Sequence, residues 1–228
     1  YRGSRVVNWD PKGQTTISDD EIEYEARKTK LYTFKYSKDI PISISTTRPE
    51  TKLGDTAIAV HPEDSRYKQF IGKEFKTIFA GESITLKVIA DQSVEREFGT
   101  GALGVTPAHS MVDWEMAQRN GLPLKQVIDE YAKVNTGFDE ISSPKPEFIT
   151  KGKKVVEARE AVVAWLKHEG LLEKEEELEH NIALAQRTGG VVEPLPKLQW
   201  FVAVNKEFKK DGKIVTLKAL MKKAVETD

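Results

Sequence analysis

The sequence predicts an α+β domain built around a β-barrel, with helices at its periphery. Alternating and β-branched runs dominate the first hundred residues, whereas helical periodicity is confined to later stretches. The two kinds of element mix without a strict βαβ alternation, which argues against a parallel doubly wound sheet. At 228 residues, 39% of them apolar and 31% charged, the chain can bury one large core or a core with an appendage.

Val6-Val7-Asn8-Trp9 reads as a short strand and Asp10-Pro11-Lys12-Gly13 as a turn. Ser18-Asp19-Asp20-Glu21 has the composition of a capped helix start. Leu31 to Tyr36 alternates as a strand, and Ile40, Ile42 and Ile44 alternate with Pro41, Ser43 and Ser45 as a half-buried one with an edge proline. Ala57 to Val60 and Ile84 to Ala90 are further strands. Ser110 to Asn120 is expected to be helical and to close at Gly121. Val155 to Glu169 puts Val155, Ala158, Val162, Trp165 and Leu166 on one face and stops at Gly170. The acidic run Glu173 to Glu179 is expected to be a solvated face without chemistry. Val191 to Val204 returns to β character, with Pro194 and Pro196 marking an edge. Asp211-Gly212 signals a hairpin, and Thr216 to Val225 a terminal helix.

Thirty-five basic against 36 acidic residues leave a net charge of −1. That balance argues against a stand-alone, high-affinity nucleic-acid binder, since backbone affinity scales with the phosphates neutralised. Any RNA contact is expected to be local. There are no cysteines, which excludes disulfides and thiolate metal sites and suits a reducing, cytoplasmic location. No apolar run is long enough to suggest a membrane span. The polar start, without an initiator Met, suggests a piece of a longer protein.

Two polar clusters carry the chemistry. In the first, Thr46, Thr47 and Arg48 end a strand and Pro49 can open a helical turn, which leaves backbone N–H groups unpaired. Either this is an ordinary polar turn, or it offers hydroxyls, N–H donors and one cation around an ester. The second runs from Phe98 through Gly99-Thr100-Gly101-Ala102-Leu103-Gly104 to Thr106-Pro107-Ala108-His109-Ser110 and Asp113. Gly99, Gly101 and Gly104 match a dinucleotide fingerprint as a bare pattern. Val105-Thr106-Pro107 extends the chain where that fingerprint needs a helix, so close approach of a neighbouring strand or ligand explains the glycines better. Asp113 stands three residues after Ser110, the spacing of a capping box. Capping and the holding of a substrate ammonium can coexist there. None of the four histidines has metal-ligand spacing, and no metal is expected. No nucleophile elbow is present, so the chemistry is expected to use a positioned water.

Together, Thr46 to Thr51 and Gly99 to Asp113 resemble the two signature segments of the editing domain of valyl-tRNA synthetases and of the related isoleucyl and leucyl enzymes. Asn8-Trp9-Asp10-Pro11, Arg187-Thr188-Gly189, Glu193-Pro194-Leu195 and Gln199-Trp200-Phe201-Val202 extend the likeness over nearly the whole chain, and the first and third of these favour the valine type over the isoleucine one. Neither aminoacylation signature, His-Ile-Gly-His or Lys-Met-Ser-Lys-Ser, is present. The resemblance implies a barrel-like editing fold with entry strands in residues 1–36, an editing core in 37–175 and a return segment in 176–228. It implies hydrolysis of the ester of mischarged threonyl-tRNA(Val). The alternatives are a non-catalytic module for the tRNA acceptor end and an isoleucyl-type domain that clears valyl-tRNA(Ile).

In that family pattern Asp113 binds the α-ammonium. Thr47, Arg48 and Thr106 surround the side chain, the water and the terminal adenosine, and Phe98 forms a wall. Thr46, Gly99, Thr100, Gly101, His109 and Ser110 complete the substrate contacts. The implied partners are the tRNA(Val) acceptor end, the mischarged threonyl group and the parent's catalytic domain, with no membrane. No cofactor is implied here, ATP belonging to the parent enzyme. Gly104 stands where the family often has Lys, and Ser110 where it often has Asp.

Overall fold

Twelve strands and three α-helices make up residues 1–226, which the computed structural model describes. The chain divides into two units, residues 6–196 and a smaller one formed by residues 1–5 with 197–228. In order, the strands are β1 (Arg2–Asp10), β2 (Thr15–Thr16), β3 (Ile22–Lys35), β4 (Ser43–Thr46), β5 (Ala57–Val60), β6 (Glu74–Phe79), β7 (Glu82–Ala90), β8 (Ala102–Val105), β9 (Leu172–Ala185), β10 (Glu193–Trp200), β11 (Glu207–Lys210) and β12 (Lys213–Thr216). The helices are α1 (Met111–Asn120), α2 (Val155–Glu169) and α3 (Leu217–Glu226).

The expected barrel is not formed. The strands distribute over four separate sheets, ordered β10-β1-β2, β4-β3-β9, β6-β7-β5-β8 and β11-β12, and no closed ring occurs among the described residues. The reason is visible in β3. Its second half buries Leu31, Thr33 and Phe34, but residues 23–28 are exposed on both faces. A strand with no apolar face along half its length has nothing to close around; it instead forms a polar ribbon with β9, antiparallel from Ile22↔Ala185 to Phe34↔Leu172. The acidic run Glu173 to Glu179 lies on this ribbon and is largely solvated.

The core of the larger unit lies between the β4-β3-β9 sheet, the four-stranded sheet and α2. Phe34 stacks on Phe79 at 5.6 Å between centroids, and Trp165 of α2 meets Phe79 edge-on at 5.2 Å. Ile40, Ile42 and Ile44 are buried there as their alternation implies, although the regular ladder covers only Ser43–Thr46. β5 is paired on both sides and covered on both faces. Ile58 and Val60 enter the main core, while Ala57 and Ala59 pack with Val105 and Met116 beneath α1. The spans of α1 and α2 follow the expected caps, ending at Gly121 and Gly170 with φ of 63° and 66°.

The helix start expected at Ser18 stops after one 3-10 turn, Asp19–Glu21. The capping box is present, yet the residues that follow have no apolar 3.6-residue stripe and run directly into β3. In the smaller unit, β11 and β12 are joined by Asp211-Gly212, both with positive φ, as a two-residue hairpin requires.

Candidate functional site

Between β4 and β5 the chain makes a 3-10 turn, Pro49–Gly54, whose six residues are all buried. Its entry is built locally: the Thr46 hydroxyl accepts from the Arg48 N–H at 3.0 Å, and the Thr51 hydroxyl donates to the Arg48 carbonyl at 2.9 Å. Pro49 supplies the first helical position. The turn carries Glu50 and Lys52, which point into two different buried charge clusters.

The first cluster is a quartet. The Arg48 guanidinium donates to Glu50 at 3.2 Å and to Glu193 at 2.6 Å. Arg159 of α2 donates to both Glu50 oxygens, each at 2.9 Å. Two cations and two carboxylates cancel, as burial demands. Burial works against every charge here. It pushes the Glu193 carboxyl up, but the two guanidiniums hold Glu50 below the usual carboxylate range in spite of it. Burial opposes the Arg48 charge as well, yet Glu193 and Glu50 outweigh it and keep the guanidinium protonated.

The second cluster joins Tyr36, Lys52, Asp55 and Thr106, all nearly inaccessible. The Lys52 ammonium donates to Asp55 Oδ1 at 3.1 Å, to the Gly104 carbonyl at 2.7 Å and to Thr106 Oγ1 at 2.7 Å. The hydroxyls of Thr106 and Tyr36 donate to the two oxygens of Asp55. Burial raises both the Asp55 carboxyl, against the pull of Lys52, and the Tyr36 phenol. Gly104 is required by this packing, because a Cβ there would overlap Asp55 and Tyr36.

The glycine-rich segment opens β8, and the chain stays extended through Thr106; the next helix begins only at Met111, so no helix follows to meet a pyrophosphate. Gly99 and Gly101 have positive φ and face Ser45 and Arg66, respectively, with no room for a side chain. Thr100 turns its hydroxyl onto Ala102 and offers its carbonyl to Tyr67 at 2.7 Å. Phe98 is half exposed.

At the start of α1 the Ser110 hydroxyl accepts from the Asp113 N–H at 3.2 Å, so Ser110 is the cap. The half-buried Asp113 carboxylate reaches back with Oδ2 to the Thr106 N–H at 2.8 Å, and Oδ1 has no hydrogen bond among the described residues. His109 is a staple: its Nδ1 bonds the Pro194 carbonyl at 3.2 Å, and Nε2 accepts from the N–H groups of Val127 and Ile128. Burial, with Arg48 and Lys52 nearby, lowers its pKa to about 3. The unfolded chain therefore takes up a proton near pH 6.5 that the folded chain refuses, and stability is lost as pH falls from about 6.5 towards 3. His109→Gln should flatten this decline, which approaches about 1.4 kcal/mol per pH unit for one group, in urea titrations between about pH 7 and 5.

Thr47 and Arg48 line a cavity of about 680 Å³, together with Lys28, Lys154, Arg159 and Val192. The Thr47 hydroxyl is without a partner among the described residues. The candidate residues thus fall into two groups. Thr47 and Arg48 stand at this cavity, and Thr46 precedes them at the end of β4; Phe98 to Gly101, Thr106, His109, Ser110 and Asp113 gather about β8 and the start of α1. The buried turn Pro49–Gly54 links them through Glu50 and Lys52, but no hydrogen bond or ion pair joins Asp113 to Thr47 among the described residues. Sequence reasoning missed Glu50, Lys52, Asp55, Tyr36 and Glu193 as site-building groups. A short polar stretch between two buried strands was the available signal. Among the described residues no group of His, Asp or Glu is arranged to hold a metal, and no helix is long and apolar enough to cross a membrane.

The family described as tRNA synthetases class I (I, L, M and V) matches residues 1–227. The valine–tRNA ligase of Thermotoga maritima is 43% identical over 206 residues, covering 89% of this chain and 22% of the relative. That of Aquifex aeolicus is 39% identical over 246 residues, covering 100% of this chain and 20% of the relative. That of Dechloromonas aromatica is 42% identical over 223 residues, covering 96% and 22%. A LeuRS solved in a ternary LeuRS-tRNA-LeuAMS complex from Agrobacterium radiobacter K84 aligns with a TM-score of 0.41 at 16% identity, over 95% of this chain and 34% of that one. The chain spans about a fifth of the length of the valine–tRNA ligases it matches. With the family profile matching residues 1–227, the chain belongs to the class I tRNA synthetases of the I, L, M and V group, and its sequence corresponds to a segment of the valine enzymes.

Proposed function

We propose that this chain is the post-transfer editing module of a valyl-tRNA synthetase and hydrolyses the ester of threonyl-tRNA(Val). The observation that carries the reading is the Asp113 carboxylate, anchored through one oxygen by the Thr106 N–H and unpaired at the other. An α-ammonium is the group that such a half-buried, oriented carboxylate takes up best, by a charge-assisted hydrogen bond. The Thr106 hydroxyl is spent on Lys52 and Asp55, so Thr106 acts through its N–H. Arg48 is likewise held by two carboxylates, as a fixed part of the cavity's lining. Thr47 keeps a free hydroxyl for the substrate end, and the exposed Phe98 ring offers a face for the terminal adenosine.

The chemistry is an ester hydrolysis. Water attacks the acyl carbon, the bond to the ribose oxygen breaks, and that oxygen takes a proton. No protein base is placed for the water; positioning, with the neighbouring ribose hydroxyl as proton relay, supplies the rate. Editing is needed because an apolar synthetic pocket discriminates poorly against an isostere that merely adds a hydroxyl. A site that hydrogen-bonds this hydroxyl reverses the preference, since valine would leave its polar groups unpaired. Residues 1–36 and 176–228 serve as the connections to the catalytic domain.

The test measures release of amino acid from threonyl-tRNA(Val) and valyl-tRNA(Val) by the chain. Threonine should be released at least about tenfold faster than valine, the ratio one unpaired polar group supports. Binding of both without turnover would replace this reading with that of a non-catalytic acceptor-end module. Faster loss of valine from valyl-tRNA(Ile) would assign the isoleucyl type.

A further inference from the structure

We propose that Lys52 is a positioning residue for Asp113, acting through Thr106. The inference rests on the editing reading for its consequence in turnover, but its geometry stands independently. A fully buried ammonium needs an acceptor for each of its three N–H bonds, and Lys52 has three: Asp55, the Gly104 carbonyl and the Thr106 hydroxyl. Two of these three acceptors belong to one short extended stretch, Gly104 within β8 and Thr106 just past its end. Charge balance alone needs only Asp55.

The hydroxyl of Thr106 receives from Lys52 and gives its own proton to Asp55, which fixes the side chain on both sides. The peptide that carries the Thr106 N–H is also held by the Thr56 N–H, which donates to the Val105 carbonyl at 3.0 Å, and with the side chain pinned as well this N–H points at Asp113. Gly104 makes the arrangement possible. Without a Cβ, the strand lies directly against Asp55 and Tyr36, which brings the Gly104 carbonyl within reach of the ammonium paired with Asp55. The chain of contacts Lys52–Thr106–Asp113 thus converts a buried charge into the orientation of a half-buried carboxylate two elements away. Lys52 touches no substrate in this scheme.

The experiment reads the Thr106 amide in ¹⁵N-threonine-labelled chain by NMR, alongside turnover of threonyl-tRNA(Val). Asp113→Asn marks where the amide resonance falls when the carboxylate is gone. Lys52→Met should move the resonance towards that position and lower kcat on the order of tenfold with KM little changed. Because Lys52→Met leaves Asp55 unbalanced, the pair Lys52→Met with Asp55→Asn removes both charges, and the dispersion of its ¹⁵N spectrum establishes that it is folded. Asp55 is itself a partner of Thr106, so Asp55→Asn alone is the reference: the proposal requires a further displacement of the Thr106 amide and a lower kcat in the double variant than in Asp55→Asn. The same amide position and turnover in the double variant as in Asp55→Asn would overturn it, showing that Lys52 merely balances Asp55. If the unaltered chain releases no threonine, the editing reading falls, and the amide position still decides the role of Lys52.

Discussion

Replacing Glu50 by glutamine is expected to lower the unfolding free energy by about 3–5 kcal/mol, the range for breaking a buried ion pair on one side. Glu50 is fully buried and accepts three guanidinium hydrogen bonds, two from Arg159 and one from Arg48. Glutamine keeps one acceptor and turns an N–H₂ group towards those same donors. Arg159 would then lack a buried counter-charge, and Arg48 would retain only Glu193. The pH dependence separates this from a packing effect. The Glu50 carboxyl is held below its ordinary value in the folded chain, because the guanidiniums outweigh burial. Its contribution is therefore present above the unfolded carboxylate range and disappears as pH falls through the lower folded value. Glu193 has the opposite sign, since burial raises it, so Glu193→Gln should cost less at neutral pH. Urea unfolding followed by tryptophan fluorescence measures both. A loss below about 1 kcal/mol for Glu50→Gln would mean that the quartet is dispensable.

The same quartet shows what could and could not be read from the sequence. The limits of α1 and α2 were legible because their signals are local: a capping serine, an apolar stripe, a glycine that takes positive φ. The buried face of the isoleucine run, and the existence of β5 as a strand, were legible for the same reason. The barrel was not, because closure depends on what both faces of β3 meet over 14 residues, and its first half meets solvent. Glu50 and Lys52 read as a polar turn. Their partners lie far along the chain, Arg159 at 109 residues from Glu50, and Thr106 at 54 from Lys52. Burial of charge is a long-range property, invisible in a window of ten residues. The dinucleotide pattern was dismissed on local grounds, the extended Val105-Thr106-Pro107, and β8 agrees. Local spacing alone read Asp113 as part of a cap, and only the resemblance gave it to the site. The structure gives the cap to Ser110 and leaves the Asp113 carboxylate turned the other way, onto Thr106.

Asp113→Ala should reduce turnover of threonyl-tRNA(Val) on the order of 10²-fold or more, the cost of leaving one partner of a desolvated charge pair alone. The stability of the chain should change far less, for two reasons visible in the geometry. Ser110, not Asp113, satisfies the orphan N–H at the start of α1, and it does so through the main chain of residue 113, which alanine retains. The Thr106 N–H loses its acceptor, but Asp113 is only half buried, so water can replace the carboxylate there. The loss should divide between kcat and KM in a telling way. If Asp113 holds the α-ammonium alike in ground and transition state, KM rises and kcat persists; if it aligns the ester against the water, kcat falls as well. An ester lacking the α-amino group sharpens the comparison, since the unaltered chain and Asp113→Ala should then hydrolyse it at similar, slow rates. Equal rates of the two proteins on threonyl-tRNA(Val) itself would remove Asp113 from the chemistry. They would leave its carboxylate as nothing more than an acceptor for the N–H of Thr106.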